Sequence, residues 1–442
     1  MCHIFIILRV CKMEIRKLKD KACSIVDENK GEIIKLTKDL FEHPETGYKE
    51  YKTSKLIKEK FRKLNFDIEE EIAITGIKTS LGNVKKPHIA VLGELDAIID
   101  KDHPKGNEYG VVHSCGHNNQ IGIMFGVAIA LKKARVMESL NGTVDFIATP
   151  AEEYIELEFR EKLKKEKKIK YFGGKQELIS RGYFDDVDLA LMVHSFDTGE
   201  MKDVIVGPSG NGFIAKKVKF FGKKAHAGSS PEEGINALNA AVLAINNINA
   251  QRDTFLDSDN VRVHPIITKG GDVVNTVPSD VRMETYVRAR TLDSIIDTNK
   301  KVDRALKAAA IAMGAEVEIK DYPGYLPLLS YDSLVDLFIK NSDQIIDENR
   351  IIRNKHLSGS FDMGDLSHIM PVLHPFFGGV KGGLHTSEFK TVDYELAVIK
   401  PIKVLIKTII DILSDDEIFK KTSNSPYSRV EYIKTSNKMS SV

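Results

Sequence analysis

The sequence has 442 residues, 42% hydrophobic and 29% charged. This is an ordinary soluble globular balance in a chain long enough for two or three domains. A net charge of +1 leaves no basic field to attract nucleic acid or anionic lipid. The four cysteines, Cys2, Cys11, Cys23 and Cys115, form no spaced framework, so disulfides are not expected and a reducing cytoplasm fits.

The chain opens on MCHIFIILRVCKMEIRK. Its apolar run is short, broken by Arg9, and followed by no small-residue cleavage site, which makes a poor signal peptide and a worse membrane anchor. Residues 1–12 are therefore set aside as a leader, with Met13 as the expected start. Residues 31–41 and 53–64 place Ile33, Leu36 and Leu40, then Ile57, Phe61 and Leu64, at helical spacing. Three apolar runs read as buried strands: HIAVLGELD (88–96), TVDFIATPAEE (143–153) and VDLALMVHS (187–195). Between the first two, QIGIMFGVAIALKKA (120–134) has the length of a helix. Strands alternating with helices predict a mostly parallel α/β sheet. The charge-dense run 154–170 reads as a solvated helix or loop.

The middle of the chain has a different grammar. FIAKKVKFFG (213–222), a helix carrying Ile235, Leu238, Val242, Ile245 and Ile248, strands in VRVHPIITKG and DVRMETYVRAR, a helix over 293–313 and a strand in AEVEIKDY give the order βαββαβ. That is the split ferredoxin-like pattern, inserted between residues 209 and 323. The expected organisation is thus a discontinuous α/β domain (13–208 and 324–414), an inserted ferredoxin-like α+β domain (209–323), and a polar tail (415–442) expected to be mobile.

Each strand of the first domain ends in polar residues: Asp96, then Glu152 and Glu153, then His194. In open α/β sheets ligands bind beyond the carboxyl ends of strands. Cys115 and His117 flank one glycine in HSCGHNNQ, and His385 follows in GGLHTSEF. Together these offer the sulfur, nitrogen and oxygen donors of a zinc or manganese site. Taken singly, each has a plain structural reading: a satisfied core histidine, a small buried cysteine, solvated neighbouring glutamates. A Cys115 nucleophile with a histidine base is a rival reading.

Nine segments then occur in one order: HPETGYKEYKTS, GELDAI, HSCGHNNQIG, TPAEE, MVHS, KKAHAGSSPEEGINALNA, NTVPSDVRMETYVR, SGSFDMGDLSHIMP and LHTSEF. In them the chain resembles the metal-dependent amidohydrolases and peptidases that include aminoacylases, carboxypeptidase G, aminobenzoyl-glutamate hydrolase and plant auxin-conjugate hydrolases, over nearly all of residues 31–413. CGHN with GSFDMGDLSHIMP resembles most the aminobenzoyl-glutamate hydrolase branch. Asn118 stands where many relatives carry aspartate.

The resemblance implies roles residue by residue. Cys115, His117, Glu153, His194 and His385 match ligands for two divalent ions, Mn or Zn. Glu152 matches the general base and Asp96 a carboxylate that orients a ligand. His226 matches a lid histidine that steadies the oxyanion; Asn275 and Arg288 match lid residues that meet the substrate's carbonyl and carboxylate. His113, His368 and His374 are read as structural. The implied activity is hydrolysis of an amide bond in a small N-acyl amino acid or aroyl-glutamate-like conjugate, with Glu152 drawing a proton from metal-activated water. The alternatives are a small dipeptidase or aminoacylase, and a non-catalytic partner subunit of the same family. No nucleic-acid or membrane partner is expected, and the lid of relatives implies a homodimer.

Overall fold

The computed structural model describes residues 2–423 and 429–440. It divides into two compact units: Met1–Ser209, Leu329–Lys355 and Leu366–Arg429 form the first, and Gly210–Leu328, His356–Asp365 and Val430–Val442 the second.

The first unit is built on a six-stranded sheet. Its spatial order is Ile68–Ile72, Gly76–Gly82, Thr143–Thr149, His88–Glu94, Leu189–Leu191, Val372–Leu373. The first two pairings are antiparallel and the remaining three parallel. Every residue of Thr143–Thr149, and all of His88–Glu94 except His88, is buried. Such continuous apolar runs are what a parallel sheet covered on both faces requires. The run read as one strand over 187–195 is two. Leu189–Leu191 stays in the main sheet, whereas His194–Ser195 pairs with Phe376–Phe377 in a separate four-stranded sheet.

The helix expected over 120–134 spans His117–Lys133, and its first fifteen residues are all buried. A helix apolar all round has no solvent face. It packs against Cys2–Glu28, Lys30–Phe41 and Lys400–Ser414. Gly122 makes one of these approaches possible, because a Cβ there would lie 2.1 Å from Thr37 Oγ1.

The second unit is a five-stranded antiparallel sheet. Gly212–Phe221 lies between Asp280–Ala289 and Glu316–Pro323, and Asp280–Ala289 also pairs with Arg262–Val263 and Ile266–Lys269. Buried and half-buried residues alternate along Asp280–Ala289, the period-two signature of a strand with one covered face. Helices Ala237–Ala250 and Leu292–Ala312 supply that cover, and they begin where Asn236 and Thr291 cap them. This is the α/β fold with an inserted ferredoxin-like α+β unit expected from the sequence. The strand expected through VRVHPIITKG is broken after Val263, before Pro265, which has no N–H to give a ladder.

The second unit also takes in 356–365 and 430–442, which lie outside the 209–323 insertion. Asn211 donates its backbone N–H to Gly359 at 2.9 Å, and the Tyr432 hydroxyl donates to Asp365 at 3.1 Å. The first of these segments is too short to show a period. Within the polar tail, Asp416–Thr422 and Arg429–Ser440 are helical; residues 424–428 and 441–442 lie outside the described residues. Among the described residues no helix is long and apolar enough to cross a membrane.

Candidate functional site

Strand ends and one helix start meet in the first unit. Leu95 donates its N–H to Thr149 at 2.9 Å, which ties the ends of His88–Glu94 and Thr143–Thr149 together. Gly116 precedes the buried helix with φ +83, and a Cβ there would lie 2.8 Å from Ser195 Cβ. The glycine between Cys115 and His117 is therefore required by both backbone and space. His385 N–H donates to the Ser114 carbonyl at 2.9 Å, seating a distant loop on the same turn. His385 and Ala151 hold φ of 61 and 54, left-handed conformations that cost roughly 1–3 kcal/mol each and cluster at functional sites.

The donor atoms converge. His117 donates Nδ1–H to the Asp96 carbonyl at 2.7 Å, and His194 donates Nδ1–H to the Ser195 carbonyl at 2.7 Å. A carbonyl only accepts, so in the neutral form of either ring it is Nε2 that has a lone pair to offer an ion. Cys115 Sγ lies 3.7 Å from His194 Nε2, and His385 Nε2 lies 2.9 Å from Glu153 Oε1. Three sets of donors fall within 4.8 Å of one another: Cys115, His117 and His194; Cys115, Glu153 and His385; and Glu94, His117 and Glu152. Cys115 belongs to two of them. His117 Nε2 and Glu153 Oε1 are buried and make no hydrogen bond, although each has an oppositely charged group within 3.0 Å. Donors that pass one another in this way fit ligands around an ion better than partners in hydrogen bonds.

The electrostatics fit the same reading. Burial and Glu153 oppose ionisation of Cys115, but His117, His385 and His194 outweigh them and bring the thiol down to about 6. Burial raises Glu153, yet His385 and His117 hold it down at about 2. Burial keeps His113 at about 3 and, with His194, His374 at about 3, so both are neutral imidazoles beside the site.

The segment carrying Glu152 and Glu153 is held on all sides. Asp96 Oδ1 accepts the Glu152 N–H at 3.1 Å and Oδ2 accepts the Glu153 N–H at 2.8 Å. Glu50, buried, accepts the Ala151 N–H at 2.8 Å and the Thr75 hydroxyl at 2.6 Å. Arg160 donates to the Glu153 carbonyl and, at 2.7 Å, to that of Phe172. Its guanidinium lies over the rings of Tyr48 and Tyr154. Arg160 comes from the charge-dense run 154–170, within helix Leu157–Lys165, and is 1% exposed. On the other side Glu94 receives Lys175 Nζ at 2.5 Å and Gln120 Nε2 at 2.7 Å, and lies 3.0 Å from His117 Nε2. Asn118 donates to the Thr37 carbonyl at 3.2 Å, a bond that an ionised aspartate could not make.

Sequence reasoning missed Glu94, Lys175, Glu50 and Arg160. Only Glu94 left a signal, a charge inside an otherwise apolar strand.

The remaining predicted residues lie in the second unit. His226 Nδ1 accepts the N–H groups of Gly228 at 3.2 Å and Ser229 at 3.0 Å, so the neutral ring carries its proton on Nε2. Ala227 donates to the Asn275 carbonyl at 2.9 Å, which brings His226 and Asn275 onto neighbouring backbone segments. Arg288 is elsewhere in that unit. It lines a cavity of about 360 Å³ with Arg262, His264, Tyr286, Ser358 and Gly359.

Residues 90–411 match the model of peptidase family M20/M25/M40. The human Xaa-Arg dipeptidase is 27% identical over 92% of this chain and 91% of its own. A subunit of the p-aminobenzoyl-glutamate hydrolase of Escherichia coli is 26% identical over 71% of this chain and 62% of its own. Among solved structures, one from methicillin resistant Staphylococcus aureus has a TM-score of 0.71 at 21% identity, covering 89% of this chain and 100% of that one. A dinuclear metal binding peptidase from the M20 family of Bacillus subtilis has 0.60 at 19%, covering 87% and 98%.

Proposed function

Since this chain belongs to peptidase family M20/M25/M40, a family of metal-dependent hydrolases, we propose that it hydrolyses the amide bond of a small N-acyl amino acid or aroyl-glutamate-like conjugate. The observation that carries the proposal is the sharing of Cys115 between two donor sets, with Glu152 in a third that meets the first at His117. Cys115, His117 and His194 would hold one divalent ion and Cys115, Glu153 and His385 the other. Such ions, Mn or Zn, polarise a carbonyl and acidify water.

This chain's own groups supply the rest. Glu152, its backbone fixed by Asp96, takes the proton of the attacking water and returns it to the leaving amine. His226, with its proton on Nε2, donates to the oxyanion. Asn275 meets the substrate carbonyl, and Arg288, stacked over Tyr286 at 5.2 Å, meets its carboxylate.

A dipeptidase reading is favoured by the human relative, whose name gives it a dipeptide substrate. A partner-subunit reading has support in the Escherichia coli relative, which is named as one subunit of a hydrolase. The protein is expected to be cytoplasmic and homodimeric. In the second unit Ile266, Ile267, Val273 and Val274 are exposed apolar residues, a surface suited to a second copy.

The test is elemental analysis with hydrolysis of N-acetyl and N-benzoyl amino acids, aminobenzoyl-glutamate and dipeptides, before and after chelation. Roughly two ions per chain, with cleavage lost to chelator and restored by Mn or Zn, is the expected result. Chelator-resistant cleavage would make Cys115 a nucleophile. Bound metal without cleavage across the panel would favour the partner subunit.

A further inference from the structure

Glu94 stands beside the donors and outside both proposed ligand sets. Its Oε2 lies 3.0 Å from His117 Nε2, and Glu94, His117 and Glu152 offer donor atoms within 4.8 Å of one another. A buried carboxylate that close to a cation site is drawn to the ion unless other groups hold it. Two groups do. Lys175 Nζ donates to Oε1 at 2.5 Å, and Gln120 Nε2 donates to Oε2 at 2.7 Å. Gln120 is itself pinned, because its oxygen accepts the Glu94 N–H at 3.1 Å. All three side chains are buried.

Lys175 reaches this place against its own chemistry. It sits in the first turn of helix Gly174–Ser180, where the helix dipole disfavours a cation, and burying an ammonium is costly. The helix start is pressed onto the segment leading to Glu152. Gly174 donates its N–H to the Ala151 carbonyl at 3.2 Å, and a Cβ on Gly174 would lie 1.7 Å from the Pro150 oxygen. Apolar residues in place of a buried ion pair are often neutral or stabilising, so packing alone does not account for a lysine here.

We infer that Lys175 is a positioning residue that withholds Glu94 from the ion at His117. With Oε1 taken by the ammonium and Oε2 by the Gln120 amide, Glu94 supplies negative charge next to the ion without filling a coordination position, which stays open. The inference rests on the metal-centre part of the proposed function and not on the identity of the substrate.

The experiment loads the dialysed protein with Co²⁺ and reads its visible bands and its affinity against a competing chelator. In Lys175→Met the Glu94 carboxylate loses its ammonium and turns to the ion. Co²⁺ should then be held roughly 10–100-fold more tightly, and its bands should weaken as the number of ligands rises. In the double variant Lys175→Met/Glu94→Gln there is no carboxylate to release, and the affinity should return to within about twofold of the wild type, with its bands. Gln120→Leu removes the second hold without stranding a charge. It should tighten binding by a smaller factor, so the test stands even where Lys175→Met does not fold. Unchanged or looser binding in Lys175→Met and Gln120→Leu, or tightening that persists without the Glu94 carboxylate, would overturn the inference. A loss of affinity in the double variant would overturn it too, by making Glu94 a ligand. A wild type that binds no Co²⁺ would overturn the metal centre itself, and the inference with it.

Discussion

Asp96 accepts the backbone N–H of Glu153 at 2.8 Å on one carboxylate oxygen and that of Glu152 at 3.1 Å on the other. Its carbonyl takes the Nδ1–H of His117. One residue thus fixes both glutamates by their backbone and one histidine by its ring. In Asp96→Asn an NH₂ group must face a backbone N–H, so one charged bond is lost and a donor meets a donor. We predict a loss of about 1.5–3 kcal/mol in folding stability and a roughly 10–100-fold loss in metal affinity or turnover. Urea denaturation and elemental analysis measure the two. Wild-type values for both would show that the backbone clamp is unimportant.

Glu152 has a different part in the proposal, because its carboxylate is assigned to the proton and not to an ion. Glu152→Gln preserves shape and removes basicity. Turnover should fall by roughly 10²–10⁴-fold while metal content stays at the wild-type level. Wild-type turnover in the variant would dismiss the general-base assignment. Loss of metal would move Glu152 into the ligand set that Glu94 and His117 form with it.

Some of the candidate donors were legible in the sequence because they end or begin an element of strong period, whereas Cys115 and His385 lie in turns and were marked by their motifs. Asp96, Glu152 and His194 follow apolar strands, and His117 opens a buried helix. The supports were illegible for physical reasons. Glu50 sits among Tyr and Lys in KEYK, where nothing distinguishes it from a solvated acid, yet it is buried against Ala151. Arg160 lies in FREKLKK, a composition that reads as a solvated face, and only the fold turns its guanidinium inward. The strand VDLALMVHS looked continuous because both of its halves are apolar; the change of sheet before His194 leaves no mark on the pattern.

Glu50 offers a pH test. Burial and then the neighbouring Asp96 push its carboxyl from 4.5 up to about 8. The folded state therefore holds a proton that the unfolded chain has released between those values. Its contribution to stability is complete below about pH 4.5 and is lost as pH rises towards 8, at no more than about 1.4 kcal/mol per unit. Glu50→Gln carries no such proton and still offers an oxygen to the Ala151 N–H. Stability of the wild type should decline from pH 5 to 8 more steeply than that of Glu50→Gln, as read by denaturant midpoints. Parallel profiles would mean that Glu50 is ionised throughout.

His226 donates nothing to Gly228 and Ser229; it accepts from both, which leaves Nε2–H as the outward donor. His226→Ala should lower kcat by roughly 10²–10³-fold, the loss typical of an oxyanion donor, with metal content unchanged. Elemental analysis of the variant beside its kcat tests this. Emptying of the metal site would show that His226 was assigned to the wrong function.

Cys115 and His385 contrast a shared donor with a private one. Its sulfur lies in the set with His117 and His194 and again in the set with Glu153 and His385, whereas His385 belongs to the second set alone. Removing a donor common to both sets would weaken both ions together, and losing a thiolate would also remove negative charge that favours cations. Cys115→Ala should therefore leave the dialysed protein with little of either ion, while His385→Ala keeps about one per chain and the wild type about two. The same protein samples, reloaded with excess Mn or Zn, should regain more activity from His385→Ala than from Cys115→Ala. Equal retention in the two variants would mean that Cys115 serves one ion only. Full metal content in Cys115→Ala, with activity gone, would take the thiolate out of the metal centre and make it the nucleophile.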